Sequence, residues 1–344
     1  MKKDKSVLSS RSTGRITLSD VAKHAGVSPI TVSRALKHPL QVSEKLKEKI
    51  AISVKALGYI PNHAARSLAS SESKVITVIF PSLSNAVFPD VLEGIHETLV
   101  RAGYRILLAN SHYSSEQEEA LVKTMLEQNP DGIIVTGIDQ TQNTRDLLKL
   151  SNTPVVQIME LDQNPIDMNV GLSHFDACYD LTNYLYSLGY KNIGFIGAQM
   201  DLRSHRRMEG YRKAVLEQNG DASQYVITSA ESTSFKHGAE LFIALISQHS
   251  DVDAIVFSND DLAAGALLEA TRRGMRIPED IAIAGFNDLH FSEELIPPLT
   301  SVSVPRYEMG QQAAECLLYK IVNKTQPHCD QVNVGYSIVS RQST

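Results

Sequence analysis

Residues 17–34 read TLSDVAKHAGVSPITVSR, a stretch that spells two short helices joined by a tight turn. Thr17 can cap the first helix, with Asp20 three residues on completing a capping-box-like start. Leu18, Val21, Ala22 and Ala25 follow at three- and four-residue spacing and give one apolar face. Gly26 supplies the positive φ that ends a helix cheaply, and Val27 fills the turn. Ser28 caps the second helix and Pro29 takes its first position, where a missing N–H is harmless. Val32, Ala35 and Leu36 then face inward while Pro29, Ile30, Thr31, Ser33, Arg34 and Lys37 stay outside. This is the pattern of a helix-turn-helix, with the second helix placed for the DNA major groove. A helical hairpin on the surface of a larger domain is the blander reading of the same residues.

Charge favours the DNA reading. Residues 1–70 hold 13 Lys and Arg against 4 Asp and Glu, whereas the whole chain is −6. A basic head on an acidic body is expected where only the head meets phosphate. The third element of the head runs from Ser43, a candidate cap, through Leu46, Ile50, Val54 and Leu57 to Gly58. After it, Pro61 and Asn62 break the chain, AARSLA can form a short helical turn, and SSES reads as linker. A helix that short is marginal without a partner.

Three motifs, D-V-A-x-x-A-G-V-S at 20–28, T-V-S-R at 31–34 and G-Y-I-P-N-x-x-A-R-S-L-A at 58–69, make residues 15–70 resemble the head and hinge of the LacI/GalR family of bacterial transcription regulators. The resemblance implies that the hinges of two subunits pair in the minor groove of double-stranded operator DNA. It puts Asn62, Ala65 and Leu68 among the contacts, with Leu68 as an apolar wedge between base pairs. Base readout is expected from Pro29, Ile30 and Arg34, since Arg34 can donate bidentately to guanine and Ile30 suits a thymine methyl. Thr17, Ser28, Thr31 and Ser33 are expected on phosphates. Many family members carry a polar pair where Pro29 and Ile30 stand, so their operator sequences do not transfer.

The rest of the chain reads as α/β. Apolar runs at 75–80, 104–110, 132–137, 155–159, 193–197, 254–258 and 281–286 are short, β-branched and separated by helix-length amphipathic segments. The fold class is therefore multi-domain: an all-α helix-turn-helix head plus an α/β body. The body is long enough for two doubly wound parallel-sheet subdomains. The family body resembles a periplasmic sugar-binding protein, with the effector between two such units. The expected boundaries are a flexible basic arm at 1–14, the head at 15–61, the hinge and linker at 62–74, and the body at 75–344. Within the body the expected division is an N-subdomain of about 75–170 and 304–331 and a C-subdomain of about 171–303 and 332–344. Crossings are expected at 169–173, 300–304 and near 331–337.

Open α/β sheets bind ligands at the carboxyl ends of their strands. There stand Asn85, Phe88, Glu160, Asn259, Asp260 and Asn287, with Arg203 and Arg207 in the loop and helix after IGFIG. Amides and carboxylates suit polyol hydroxyls, which both donate and accept, and an arginine adds a site for an anion. Arg206 fits a solvated helix face better. In the family, positions matching Phe88, Arg207, Asn259, Asp260 and Asn287 belong to or adjoin the effector pocket. Long matches at 81–95, 131–135, 167–175, 257–269 and 280–289 make the body most similar to family repressors of gluconate and idonate utilisation, which implies a small sugar-acid effector. A neutral sugar, or an effector acting as corepressor, are the alternatives.

No dinucleotide fingerprint, Walker loop, Gly-x-Ser-x-Gly elbow or His-Glu-x-x-His occurs, so neither catalysis nor a cofactor or metal is expected, though a sugar-processing enzyme of two α/β lobes stays as a distant alternative. Three scattered cysteines suit a reduced compartment, and the amino terminus lacks the apolar core of a signal peptide. The expectation is a cytoplasmic homodimer with no membrane partner, without the leucine-rich tail that makes one family member a tetramer.

Overall fold

The computed structural model describes residues 16–60, 72–325 and 330–344. The chain divides into two compact units, residues 1–73 and 74–344. Among its described residues the first holds three α-helices, α1 (Leu18–Ala25), α2 (Pro29–Lys37) and α3 (Glu44–Leu57). Val21, Ala22, Ala25, Val32, Ile50 and Tyr59 bury against one another at its centre. The capping box at Thr17 forms: its backbone N–H donates to Asp20 Oδ2 at 2.8 Å, and Asp20 N–H donates back to Thr17 Oγ1 at 3.3 Å. Gly26 and Gly58 end α1 and α3 in the left-handed region. Ser43 stands at the N-cap of α3, but its hydroxyl makes no capping hydrogen bond.

The second unit contains two six-stranded sheets. One is built from β1 (Val75–Phe80), β2 (Arg105–Asn110), β3 (Gly132–Thr136), β4 (Val155–Glu160), β5 (Met168–Leu172) and β11 (Gln331–Asn333), in the order β11-β5-β4-β3-β1-β2. The other is built from β6 (Ile193–Gly197), β7 (Val226–Thr228), β8 (Ala254–Phe257), β9 (Ala282–Asn287), β10 (Thr300–Ser303) and β12 (Ser337–Val339), in the order β12-β10-β9-β8-β6-β7. Strands pair in parallel except for β10 with β12. Helices α4 (Val87–Arg101), α5 (Ser115–Leu126), α6 (Gln142–Leu150) and α11 (Arg306–Asn323) accompany the first sheet; α7 (His174–Ser187), α8 (Leu202–Glu217), α9 (Phe235–Gln248) and α10 (Asp260–Arg272) accompany the second. The chain passes between the sheets three times, after Leu172, after Ser303 and between Asn333 and Ser337. Each of the seven apolar runs is a strand. β5, β10, β11 and β12 lie at the crossings, and β7 is a three-residue edge strand without an apolar run of its own.

Strands buried on both faces explain the unbroken apolar runs: every residue of β3, β4 and β5 is buried. Helices close over them in pairs by direct backbone approach. A Cβ on Gly94 of α4 would lie 2.1 Å from the Tyr307 carbonyl oxygen of α11, and one on Gly310 of α11 would lie 2.0 Å from that of Val91. Neither side chain can be admitted unless the two helices separate. Gly94→Ala is therefore expected to destabilise the body by about 2–3 kcal/mol, read as a lowered urea midpoint by circular dichroism. A midpoint within error of the wild type would contradict this packing.

Candidate DNA-binding head and effector cavity

On α2, Val32 is fully buried and Ala35 and Leu36 pack on the head core, which turns Pro29, Ile30 and Arg34 outward. Ile30 is 71% exposed, a large apolar group left bare at the start of the helix. Arg34 is exposed, and no acidic side chain pairs with it among the described residues. Both are therefore free to meet base edges. The small hydroxyls are less free. Thr17 Oγ1 donates to Asp20 Oδ2 at 2.7 Å, and Ser28 Oγ accepts from Thr31 N–H at 3.2 Å while sharing a 2.8 Å hydrogen bond with Thr31 Oγ1. A phosphate at Thr17 must compete with the cap; Ser33 is half-buried with no such commitment. Asn62, Ala65 and Leu68 lie outside the described residues.

In the body, loops at the carboxyl ends of both sheets meet around a narrow cavity of about 30 Å³. The first sheet contributes Asn85, Val87 and Phe88 after β1, Tyr113 after β2 and Met159 from β4. The second contributes Gln199, Asp201, Arg203, Ser204 and Arg207 around the start of α8, Asn259 and Asp261 around the start of α10, and Asn287 from β9. Of the eight residues expected from the sequence, six line this cavity: Asn85, Phe88, Arg203, Arg207, Asn259 and Asn287. Met159 and Asn287 have φ of 86° and 109°, values that cost a non-glycine residue about 1–3 kcal/mol and cluster at working sites.

Two expected residues stand behind the wall. Asp260 is fully buried, and its oxygens accept from Ser301 Oγ at 2.6 Å and Leu289 N–H at 2.7 Å. Burial lifts it to about 6. It ties the loop after β9 to β10, and the lining carboxylate is its neighbour Asp261. The Glu160 side chain turns to His174, with Oε2 at 2.7 Å from Nδ1, and leaves Met159 at the wall. Sequence reasoning passed over Tyr113, Gln199, Ser204 and Asp261 as ligand contacts. Asp201, a further lining residue outside the expected set, did carry a local signal, as the N-cap of α8 accepting from Ser204 N–H at 2.9 Å.

The two cavity arginines differ electrostatically. Arg203 is paired: Nε donates to Asp201 Oδ2 at 3.0 Å, Nη2 reaches the same oxygen, and the guanidinium lies 5.6 Å from the Phe88 ring centroid. Burial alone would raise Asp201, but Arg203, the Ser204 N–H and Arg207 hold it at about 2. Arg207 is 6% exposed and, among the described residues, forms no ion pair. Its guanidinium lies 3.8 Å over the Phe286 ring, Nη1 donates to the Ser258 carbonyl, and Nη2 reaches Asn287 Oδ1 at 3.5 Å. Nε and the nearby Ser258 Oγ are buried without partners. Burial brings Arg207 down to about 10, Asp201 and Glu160 opposing and Arg203 assisting. Arg207 is thus a buried cation with no direct ion pair among the described residues and one unused N–H, a costly arrangement in the free protein. Asn259 Oδ1 caps α10 through Leu262 N–H at 3.1 Å, leaving its Nδ2 for a hydroxyl.

Among the described residues, no helix is long and apolar enough to cross a membrane and no group of side chains is arranged to hold a metal. Residues 17–62 match the family described as bacterial regulatory proteins, lacI family, and residues 182–344 match the periplasmic binding protein-like domain. The HTH-type transcriptional regulator GntR of Pseudomonas aeruginosa is 40% identical over 334 residues, 97% of each chain. The HTH-type transcriptional regulator IdnR of Escherichia coli K12 is 34% identical over 94% of this chain and 97% of its own. Among solved structures, a LacI-family transcriptional regulator from Silicibacter pomeroyi superimposes with a TM-score of 0.90 at 32% identity, covering 95% of this chain and 99% of that one. With this head, this body and relatives matched along nearly its whole length, the chain belongs to the LacI family and is a DNA-binding transcriptional regulator, not an enzyme.

Proposed function

We propose that this regulator represses genes of gluconate or related aldonate use and leaves its operator when the sugar acid fills the body cavity. One observation carries the choice of ligand. Arg207 is a buried guanidinium that forms no ion pair among the described residues, in a cavity whose wall also carries amides, hydroxyls, the Phe88 ring, the paired Asp201 and Arg203, and Asp261. An aldonate answers both features, with its carboxylate for Arg207 and its hydroxyls for Asn85, Tyr113, Asn259 and Asn287. Arg203, already neutralised by Asp201, is the weaker anion site. The similarity of the body to repressors of gluconate and idonate utilisation supports the same chemistry.

The regulator acts in the cytoplasm as a homodimer. β2 is an edge strand with Leu107 and Leu108 exposed, and Val100 is exposed near the end of α4. An apolar open edge invites association unless something covers it, and a second copy does so symmetrically. Two heads then address two operator half-sites. Ligand bridging both sheets closes the cleft and turns the subdomains about the three crossings. Separation of the paired hinges, with Leu68 withdrawn from the DNA, releases the operator.

Two substitutions separate the sites. Arg207→Gln is expected to weaken gluconate binding by about 2–4 kcal/mol in calorimetry while operator affinity without effector is retained. Unchanged gluconate affinity would remove Arg207 from the site. Arg34→Ala is expected to cost about 1–3 kcal/mol of operator affinity, measured by fluorescence anisotropy, and to relax preference at one base pair, with gluconate affinity unaltered. A uniform loss over all sequences would instead make Arg34 a phosphate contact.

A further inference from the structure

The Glu160–His174 contact joins the two halves of the body. Glu160 ends β4 in the first sheet; His174, wholly buried, opens α7 just past the first crossing. Their 2.7 Å hydrogen bond therefore spans that crossing. The His174 ring stacks on Phe286 with centroids 5.6 Å apart, and Phe286 is the ring over which Arg207 lies. His174 Nε2 is buried with no partner. Glu160, His174, Phe286 and Arg207 thus form one contiguous stack that ends at the unpaired cation of the cavity.

We infer that Glu160 and His174 are a proton-holding positioning pair for the anionic effector: docking of a carboxylate on Arg207 draws a proton from solvent onto the pair. The inference rests on the aldonate reading above. Before uptake His174 Nδ1–H donates to the Glu160 carboxylate; after it the Glu160 carboxyl donates from Oε2 to Nδ1 and the neutral imidazole carries its proton on Nε2, so the pair gains one proton from solvent and no other bond changes. The charged and titratable groups facing the pair are Arg203, Arg206 and Arg207 on α8 and Asp201 at the cap of α8; Cys178 on α7 acts on Arg207, and β9 presents the uncharged Phe286 ring. Burial pushes Glu160 up to about 7, against the His174 backbone N–H and the three arginines. Burial, then Arg207 and Arg203, push His174 well below its ordinary value, Asp201 opposing, so the imidazole is neutral. An anion on Arg207 cancels that arginine's share of the field that favours the Glu160 carboxylate. The complex then holds more proton than the free protein. The sign follows: affinity is highest below about 7 and falls as pH rises through and above that value.

The test is calorimetric titration of gluconate into the full-length protein at neutral pH in phosphate and in Tris buffer, which differ in ionisation enthalpy. Wild type is expected to take up a fraction of a proton per gluconate, with affinity falling by at most about tenfold per pH unit, the limit for one proton. Glu160→Gln and His174→Phe are expected to bind gluconate without uptake and with a flat pH profile. A purely structural pair would alter affinity and leave proton uptake in place. Should Glu160→Gln fail to fold, His174→Phe decides alone. Gluconate binding without proton uptake in wild type, or equal uptake in a variant that binds, overturns the inference and leaves the aldonate reading standing. No binding of gluconate to wild type overturns the aldonate reading, and the inference falls with it.

Discussion

A buried guanidinium with no direct ion pair among the described residues, that of Arg207, is the constraint around which the body cavity is organised. Placing Arg207 in the interior costs several kcal/mol of desolvation, and the fold repays part of it with the Phe286 ring, the Ser258 carbonyl and Asn287. It stops short of supplying a carboxylate. Asp201, an acidic group in the same cavity wall, is committed to Arg203 and to the cap of α8. On the proposed reading an anionic ligand supplies the missing partner, and ligand charge comes before hydroxyl pattern in setting specificity.

On the proposed reading the same geometry also accounts for signalling. The cavity wall is shared between loops of two sheets that are otherwise joined by crossing segments and by contacts such as Arg306, which pairs with Asp90 of α4 at 2.8 Å and donates to the Asn287 carbonyl. A ligand held by Asn85 and Phe88 on one side and by Arg207 and Asn259 on the other gains most when the two sides approach. Differential affinity of this kind for closed over open cleft is the only means by which a ligand can bias a two-state body.

The head was legible because its signals are local. Capping box, turn glycine, Ser-Pro start and heptad-like spacing each act within four residues, and the structure realises them, apart from the Ser43 cap, which makes no hydrogen bond. The central strands were legible because burial on both faces leaves unbroken β-branched runs. β7 and the crossing strands were harder: β7 and β11 are three-residue edge strands, half exposed, so no periodicity marks them. Strand-end logic placed Asn85, Phe88, Arg207, Asn259 and Asn287 at the cavity, but it cannot tell which of two adjacent carboxylates turns inward. That choice depends on Ser301 and the Leu289 N–H, which reach Asp260 from more than 25 residues away, and on His174 capturing Glu160.

The most direct test of the uncompensated cation compares gluconate with glucitol, which carries a hydroxymethyl group where gluconate carries its carboxylate, by calorimetry on the full-length protein. A charged hydrogen-bonding partner is worth about 1.5–3 kcal/mol over a neutral one, so gluconate is expected to bind about 10- to 150-fold more tightly. Equal affinities would mean that Arg207 serves the fold alone and that the cavity selects a neutral polyol.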